Sequence, residues 1–164
     1  MACTLLRAVT ARRALAACVD LPDAFDPAHA VEAGIDLARL LWIRPRTPRD
    51  ALPAAEHVLE AEGFGLVLID LDDGRPRRSV PASTWIRLTR AAVRTRTAVV
   101  VLGSNAVVGT FAALRLELER RSAAFEGRGP CPLFTGIISA VHLRKSKLGA
   151  PPASSAAVVA AAGS

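Results

Sequence analysis

Apolar residues along the chain fall into two kinds of run, and the two kinds alternate. Ala14–Val19 is continuously apolar and ends at Asp20, and Leu40–Ile43 is a second such run, ended by Arg44 and Pro45. Leu66–Ile69 leads into Asp70, and Ala98–Leu102 is the fourth run. Runs this short and this uniformly apolar fit strands buried on both faces, as in a parallel sheet. Between them the spacing changes to helical. Leu5, Leu6 and Val9 mark a short first helix, and Asp26-Pro27 opens a second that Gly34 closes. Thr47-Pro48 opens a third, with Leu52, Ala55, Val58 and Leu59 on one face. A fourth spans about Pro81 to Arg94, with Trp85, Leu88, Ala92 and Val93 inward. An Asp or Thr followed by Pro is a helix start, because the side chain caps an orphan N–H and Pro presets φ. Leu114–Glu119 alternates strictly and reads as a strand with one wet face, and Ile137–Leu143 reads as another strand.

Strands alternating with helices predict an α/β fold whose mostly parallel sheet is flanked by helices. At 164 residues and 51% hydrophobic the chain is long and apolar enough for one domain over 1–149. Residues 150–164 are rich in Ala, Pro and Ser and are expected to be a disordered tail. The apolar stretch 156–162 falls short of the ~20 residues a membrane helix requires. Residues 1–19 hold three arginines and no acid, a transit-peptide trait, but they run into the first strand without a cleavage-like break.

Charge adds one element to the picture. Twenty-one Lys and Arg against 15 Asp and Glu leave a net charge of +6. A basic surplus fits a polyanionic partner or a solvated surface. Cys3, Cys18 and Cys131 form no C-x-x-C pair and no ligand cluster, which fits reduced thiols in a cytoplasmic protein, with Cys18 buried in its strand. His29, His57 and His142 are far apart, and no nucleophile–base spacing exists.

In such sheets ligands bind beyond the carboxyl ends of the strands. Asp20, Asp70 and the 103–105 turn sit at such ends. Four apolar residues leading to Asp70 fit a strand whose Asp holds Mg2+, although an Asp there also serves an ordinary loop; the Asp73-Gly74 pair marks such a turn. The phosphate-binding pattern G-x-x-x-x-G-K-[ST] is absent, and no glycine precedes Gly34. Arg75, Arg77 and Arg78 could contact the phosphates of single-stranded DNA, yet no aromatic interleaves them as a stacking platform.

Several stretches resemble the bacterial RecA family in the right order. They are Val19–Pro27, Ala33–Leu41, the region around Pro45, Leu66–Asp70, and His142–Pro152. In character the chain is similar to the RecA-like accessory proteins of SOS mutagenesis, the ImuA type. The resemblance implies a RecA-like core that lacks the first strand and the P-loop, leaving the neighbouring strand as an open edge. It implies nucleotide-binding roles for Asp70 (with Mg2+), Ser104, Lys145 and Lys147, and DNA contact by Arg75, Arg77 and Arg78. Pro22 stands where the family has its water-activating Glu, with Asp23 one residue out of place. The expected function is a RecA-like accessory factor in SOS-linked translesion synthesis. Its partners would be error-prone polymerase machinery or a Y-family polymerase-like protein, single-stranded DNA, or further copies of itself. The alternative is an ATP-dependent, recombinase-like enzyme with its P-loop upstream of a misplaced start; ATP and Mg2+ would then be its cofactors.

Overall fold

A computed structural model describes residues 2–74, 80–103, 107–127, 132–147 and 149, and the backbone of 156–161. The chain divides into two units, 1–111 and 112–164. The first contains α1 (Ala2–Thr10), β1 (Leu15–Asp20), α2 (Pro27–Glu32) and β2 (Leu40–Ile43). It continues through α3 (Pro48–Glu60), β3 (Phe64–Asp70), α4 (Ala82–Thr95) and β4 (Ala98–Leu102). Short 3-10 turns occupy Leu37–Arg39 and Gly109–Phe111.

The four apolar runs pair as a parallel sheet in the order β2-β1-β3-β4. Side chains alternate across it. Ala17, Val19, Val67 and Ile69 face α3 and α4, against Ala51, Leu52, Ala55, Val58, Leu59, Trp85 and Leu88. Ala16, Cys18, Leu66 and Leu68 face α1 and α2, against Leu6 and Ala30. Helices on both faces explain why these strands carry no polar alternation. At Gly65 the α1–β1 corner comes close: an added Cβ would lie 3.3 Å from both Val9 Cγ1 and Ala14 Cβ.

Local signals held at most helix ends. Asp26 caps α2 by accepting from the Ala28 and His29 N–H groups, and Gly34 follows its end at φ +79°. Thr47 does occupy the cap position of α3, but its hydroxyl donates to Asp50 at 2.7 Å instead of bonding an orphan N–H. On α4, Trp85 and Leu88 are buried as expected, whereas Val93 is 75% exposed. Val93 follows Ala92 by about 100°, so both cannot face inward on a helix packed along one side.

The second unit is an antiparallel sheet of β5 (Leu114–Glu126), β6 (Leu133–Ser146) and β7 (Ala156–Ala161), in that order. β5 and β6 extend well beyond the stretches that alternation marked. The expected wet face of β5 carries Glu117 and Glu119, but Leu114, Leu116 and Leu118 on the other are also more than a third exposed. Residues 156–161, expected within a disordered tail, pair with Gly136–Val141. Ala favours a helix in isolation, but pairing along the β6 edge gives this run a ladder of backbone hydrogen bonds instead.

Candidate functional site

The order in which the chain adds strands to the parallel sheet reverses between β1 and β3. From β1 the chain crosses by α2 to β2 on one side; from β3 it crosses by α4 to β4 on the other. Those two crossovers lie on opposite faces, which leaves a crevice at the carboxyl ends of β1 and β3. Asp20 and Asp70 end these two strands and are direct register partners. Both continue the Cys18 and Leu68 parity, so both carboxyl groups stand on the α1/α2 face.

A cavity of about 220 Å3 lies there. Ala2, Cys3 and Leu6 of α1 form one wall, and the 24–26 turn with His29 and Ala30 of α2 forms another. Cys18, Asp20, Leu68, Asp70 and Leu102 form the sheet side.

The two aspartates do different work. Asp20 is 2% exposed. Its Oδ1 accepts from the Ala24 N–H at 3.0 Å; its Oδ2 accepts from the Phe25 N–H at 2.9 Å and from the Trp42 indole Nε1 at 3.1 Å. The carboxylate therefore ties the 21–25 loop and β2 to the end of β1. Trp42 is held further by Phe25, 5.4 Å away between ring centroids, and by the Arg44 guanidinium 4.6 Å above its ring. Asp70 is half-buried, and its Oδ1 accepts from the Asp72 N–H at 2.9 Å. Asp73 N–H bonds the Leu71 carbonyl at 3.1 Å and Gly74 takes φ +69°, so Asp70 opens the expected turn.

Cys18 lies between these groups and the core. Burial pushes its thiol up to about 12, and the nearby Asp20 and Asp70 charges add to the shift. It stays a neutral, inert thiol across the physiological range.

Magnesium-bound ATP requires oxygen ligands for the cation and donors or cations for the phosphates. Among the described residues the cavity is lined by Asp20, Asp26 and Asp70 and by no Lys or Arg. Asp20 already accepts from three donors. Among the described residues no cluster of three or more His, Cys, Asp or Glu is arranged to hold a metal. The described residues around the cavity thus do not by themselves fit magnesium-bound ATP. Ser104, Arg75, Arg77 and Arg78 lie outside the described residues.

Lys145 and Lys147 belong to the second unit, away from Asp70's unit in the chain division. Lys145 is half-buried on β6 opposite Arg115, and the Lys147 N–H bonds the Ala113 carbonyl at 2.8 Å. Beside them Arg144 Nε donates to Glu117 Oε2 at 2.6 Å, which holds the Glu117 carboxyl below its ordinary range. His142 Nε2 lies 3.2 Å from Glu119.

The pattern of strand ends marks Asp70, but it does not mark the lining role of Cys3, Asp26 and His29. Strand parity was the available signal for the sheet side: Cys18 and Asp20, like Leu68 and Asp70, are two apart and must share a face.

No protein-family model matches the chain. Over 56 residues it is 36% identical to protein RecA of Borreliella afzelii (strain PKo), a stretch covering 34% of this chain and 15% of that protein. Protein RecA of Borreliella burgdorferi (strain ZS7) matches with the same figures. The chain thus spans 15% of the length of these curated relatives. Among solved structures, SulA from Pseudomonas aeruginosa aligns with a TM-score of 0.49 at 16% identity, covering 62% of this chain and 83% of that one. Among the described residues no helix is long and apolar enough to cross a membrane. Taken together, the chain has an α/β fold compatible with a RecA-like core, and about a third of its length is locally similar to RecA.

Proposed function

We propose that this chain is a RecA-like accessory factor in SOS-linked DNA repair, of the ImuA type, acting in translesion synthesis through binding and without efficient ATP hydrolysis. The observation that carries this reading is the crevice at the switch point. It keeps the Asp70 strand end of a nucleotide-binding fold, but its charged walls are the carboxylates of Asp20, Asp26 and Asp70, with His29 beside them and no Lys or Arg among the described lining residues. A triphosphate entering it would meet like charge, and Pro22 stands where the resemblance calls for a water-activating Glu. The local similarity to RecA supports the DNA-repair setting. The partners proposed are error-prone polymerase machinery or a Y-family polymerase-like protein, with single-stranded DNA met by Arg75, Arg77 and Arg78.

Two measurements test it. Titration of the 164-residue chain with magnesium-ATP should give no binding heat and no phosphate release above background; steady turnover would overturn the reading. Fluorescence anisotropy with labelled single-stranded DNA should give salt-dependent binding. Replacing Arg75, Arg77 and Arg78 by Ala should flatten the salt slope by ~0.7 for each phosphate that is no longer neutralised. An unchanged slope would remove the DNA role from that loop.

A further inference from the structure

α4 carries two stripes. Trp85 and Leu88 form the inner one, buried in the layer they share with α3, with Ala91 packed against it. A helix turns by about 100° per residue, so Ile86, Arg90 and Val93 fall together on the opposite side. Their spacing is i, i+4, i+7, a straight ridge two turns long. All three are exposed, Ile86 by 38% and Val93 by 75%. Among the described residues no large hydrophobic is more exposed than Val93.

Arginines flank this ridge. Arg94 lies one turn beyond Arg90, and Arg96 ends the helix at φ 55°. Among the described residues Arg87 is held by Glu56, whereas Arg90, Arg94 and Arg96 have no ion-pair partner and stand in solvent. The charge is regional as well. From Gly74 to Leu116 the sequence has eight arginines and no Asp or Glu, more than the +6 net charge of the whole chain.

We propose that the outer face of α4 is a docking surface for an acidic amphipathic helix of another protein. Such a helix, laid along α4, would bury Ile86 and Val93 under its own apolar stripe and set its carboxylates against Arg90, Arg94 and Arg96. Arg beside aliphatic side chains is the mixture that protein interfaces favour. Nucleic acid fits the face less well. Phosphates would satisfy the arginines but leave Ile86 and Val93 against a polar backbone, and the exposed stripe has no aromatic on which a base could stack. The surface rests on charge and exposure alone. It can fail while the RecA-like reading holds, and hold while that reading fails.

The probe is a fluorescein-labelled synthetic helix of about four turns, with Leu on one stripe and Glu beside it. Anisotropy with the full chain should show micromolar binding that weakens in salt. A second peptide with Ser in place of Leu, and a third with Lys in place of Glu, should each bind at least ~10-fold more weakly. The double variant Arg90→Glu, Arg94→Glu should lose ~10-fold or more for the first peptide, and Val93→Ser several-fold. All three positions are exposed, so far-UV circular dichroism should not change. No binding of the first peptide, or binding unchanged in both variants, would overturn the proposal. Equal binding of the serine peptide would reduce the face to a site for any polyanion and overturn it too. If the double variant lost oligothymidylate binding while the leucine peptide failed to bind, the face would belong to nucleic acid instead.

Discussion

Removing the Asp20 carboxylate tests whether that residue is the fastener of the crevice. Asp20→Ala leaves the Ala24 N–H, the Phe25 N–H and the Trp42 indole without their acceptor, at a site where Asp20 is 2% exposed. A hydrogen bond to a charged group contributes roughly 1.5–3 kcal/mol. Three such bonds sum to more than will be lost, because the loop can relax and admit water to part-buried donors. About 3–5 kcal/mol is the expected cost, comparable to breaking other buried charge networks. Asp20→Asn is more revealing. If its amide oxygen takes the Oδ2 position, it keeps the Phe25 and Trp42 bonds, and its NH2 then faces the Ala24 N–H donor to donor. One bond is lost and one repulsion gained, an expected cost of about 2 kcal/mol. Urea unfolding at constant m-value measures both. Asp23→Asn is the control: its ion pair with Arg44 is 3.7 Å long with both side chains about 60% exposed, and its loss should cost under ~1 kcal/mol. If Asp20→Ala cost no more than Asp23→Asn, the assignment of Asp20 as a structural fastener would be wrong.

Three further outcomes follow from the geometry. The Cys18 thiol is raised to about 12 from an ordinary 9.0, so the unfolded chain loses this proton first as pH rises. Stability from this group should be intact below about pH 9 and fall by about 1.4 kcal/mol per pH unit above it, until the folded thiol ionises; alkaline denaturation of Cys18→Ala should lack that slope. Arg87 grips Glu56 across α3 and α4 with two bonds of 3.0 and 3.3 Å, and a double-mutant cycle should give a coupling of about 0.5–1 kcal/mol that weakens in salt. Leu59 is fully buried between α3 and the sheet, so Leu59→Ala should lower stability by about 2–5 kcal/mol in urea; a loss under ~1 kcal/mol would contradict its place in the core.

Much of the first unit was legible because its signals are local. A strand covered on both faces must be apolar throughout, and all four such runs became strands, β2 and β4 with the very ends that the runs have. Asp26-Pro27 acts within one helical turn, and so it was readable; Thr47 looked the same, but Asp50 competed for its hydroxyl. In the second unit the strands are long and exposed, and their pairing partners are up to 32 residues apart, as Leu114 and Ser146 are. Their extent, and the pairing of 156–161, could not be seen in any local window.

The sequence by itself determined the kind of each helix and strand of the first unit and the strand-end position of Asp20 and Asp70, because periodicity and capping depend only on near neighbours. Only the tertiary structure decided the order β2-β1-β3-β4, which sets those two aspartates side by side at the switch point. It also decided their separate roles. Asp20 is claimed by donors four, five and 22 residues away, a match made when the loop and β2 close over β1. Asp70 bonds two residues ahead and stays at the cavity. Two identical side chains ending two similar strands differ in function because the packing around them differs.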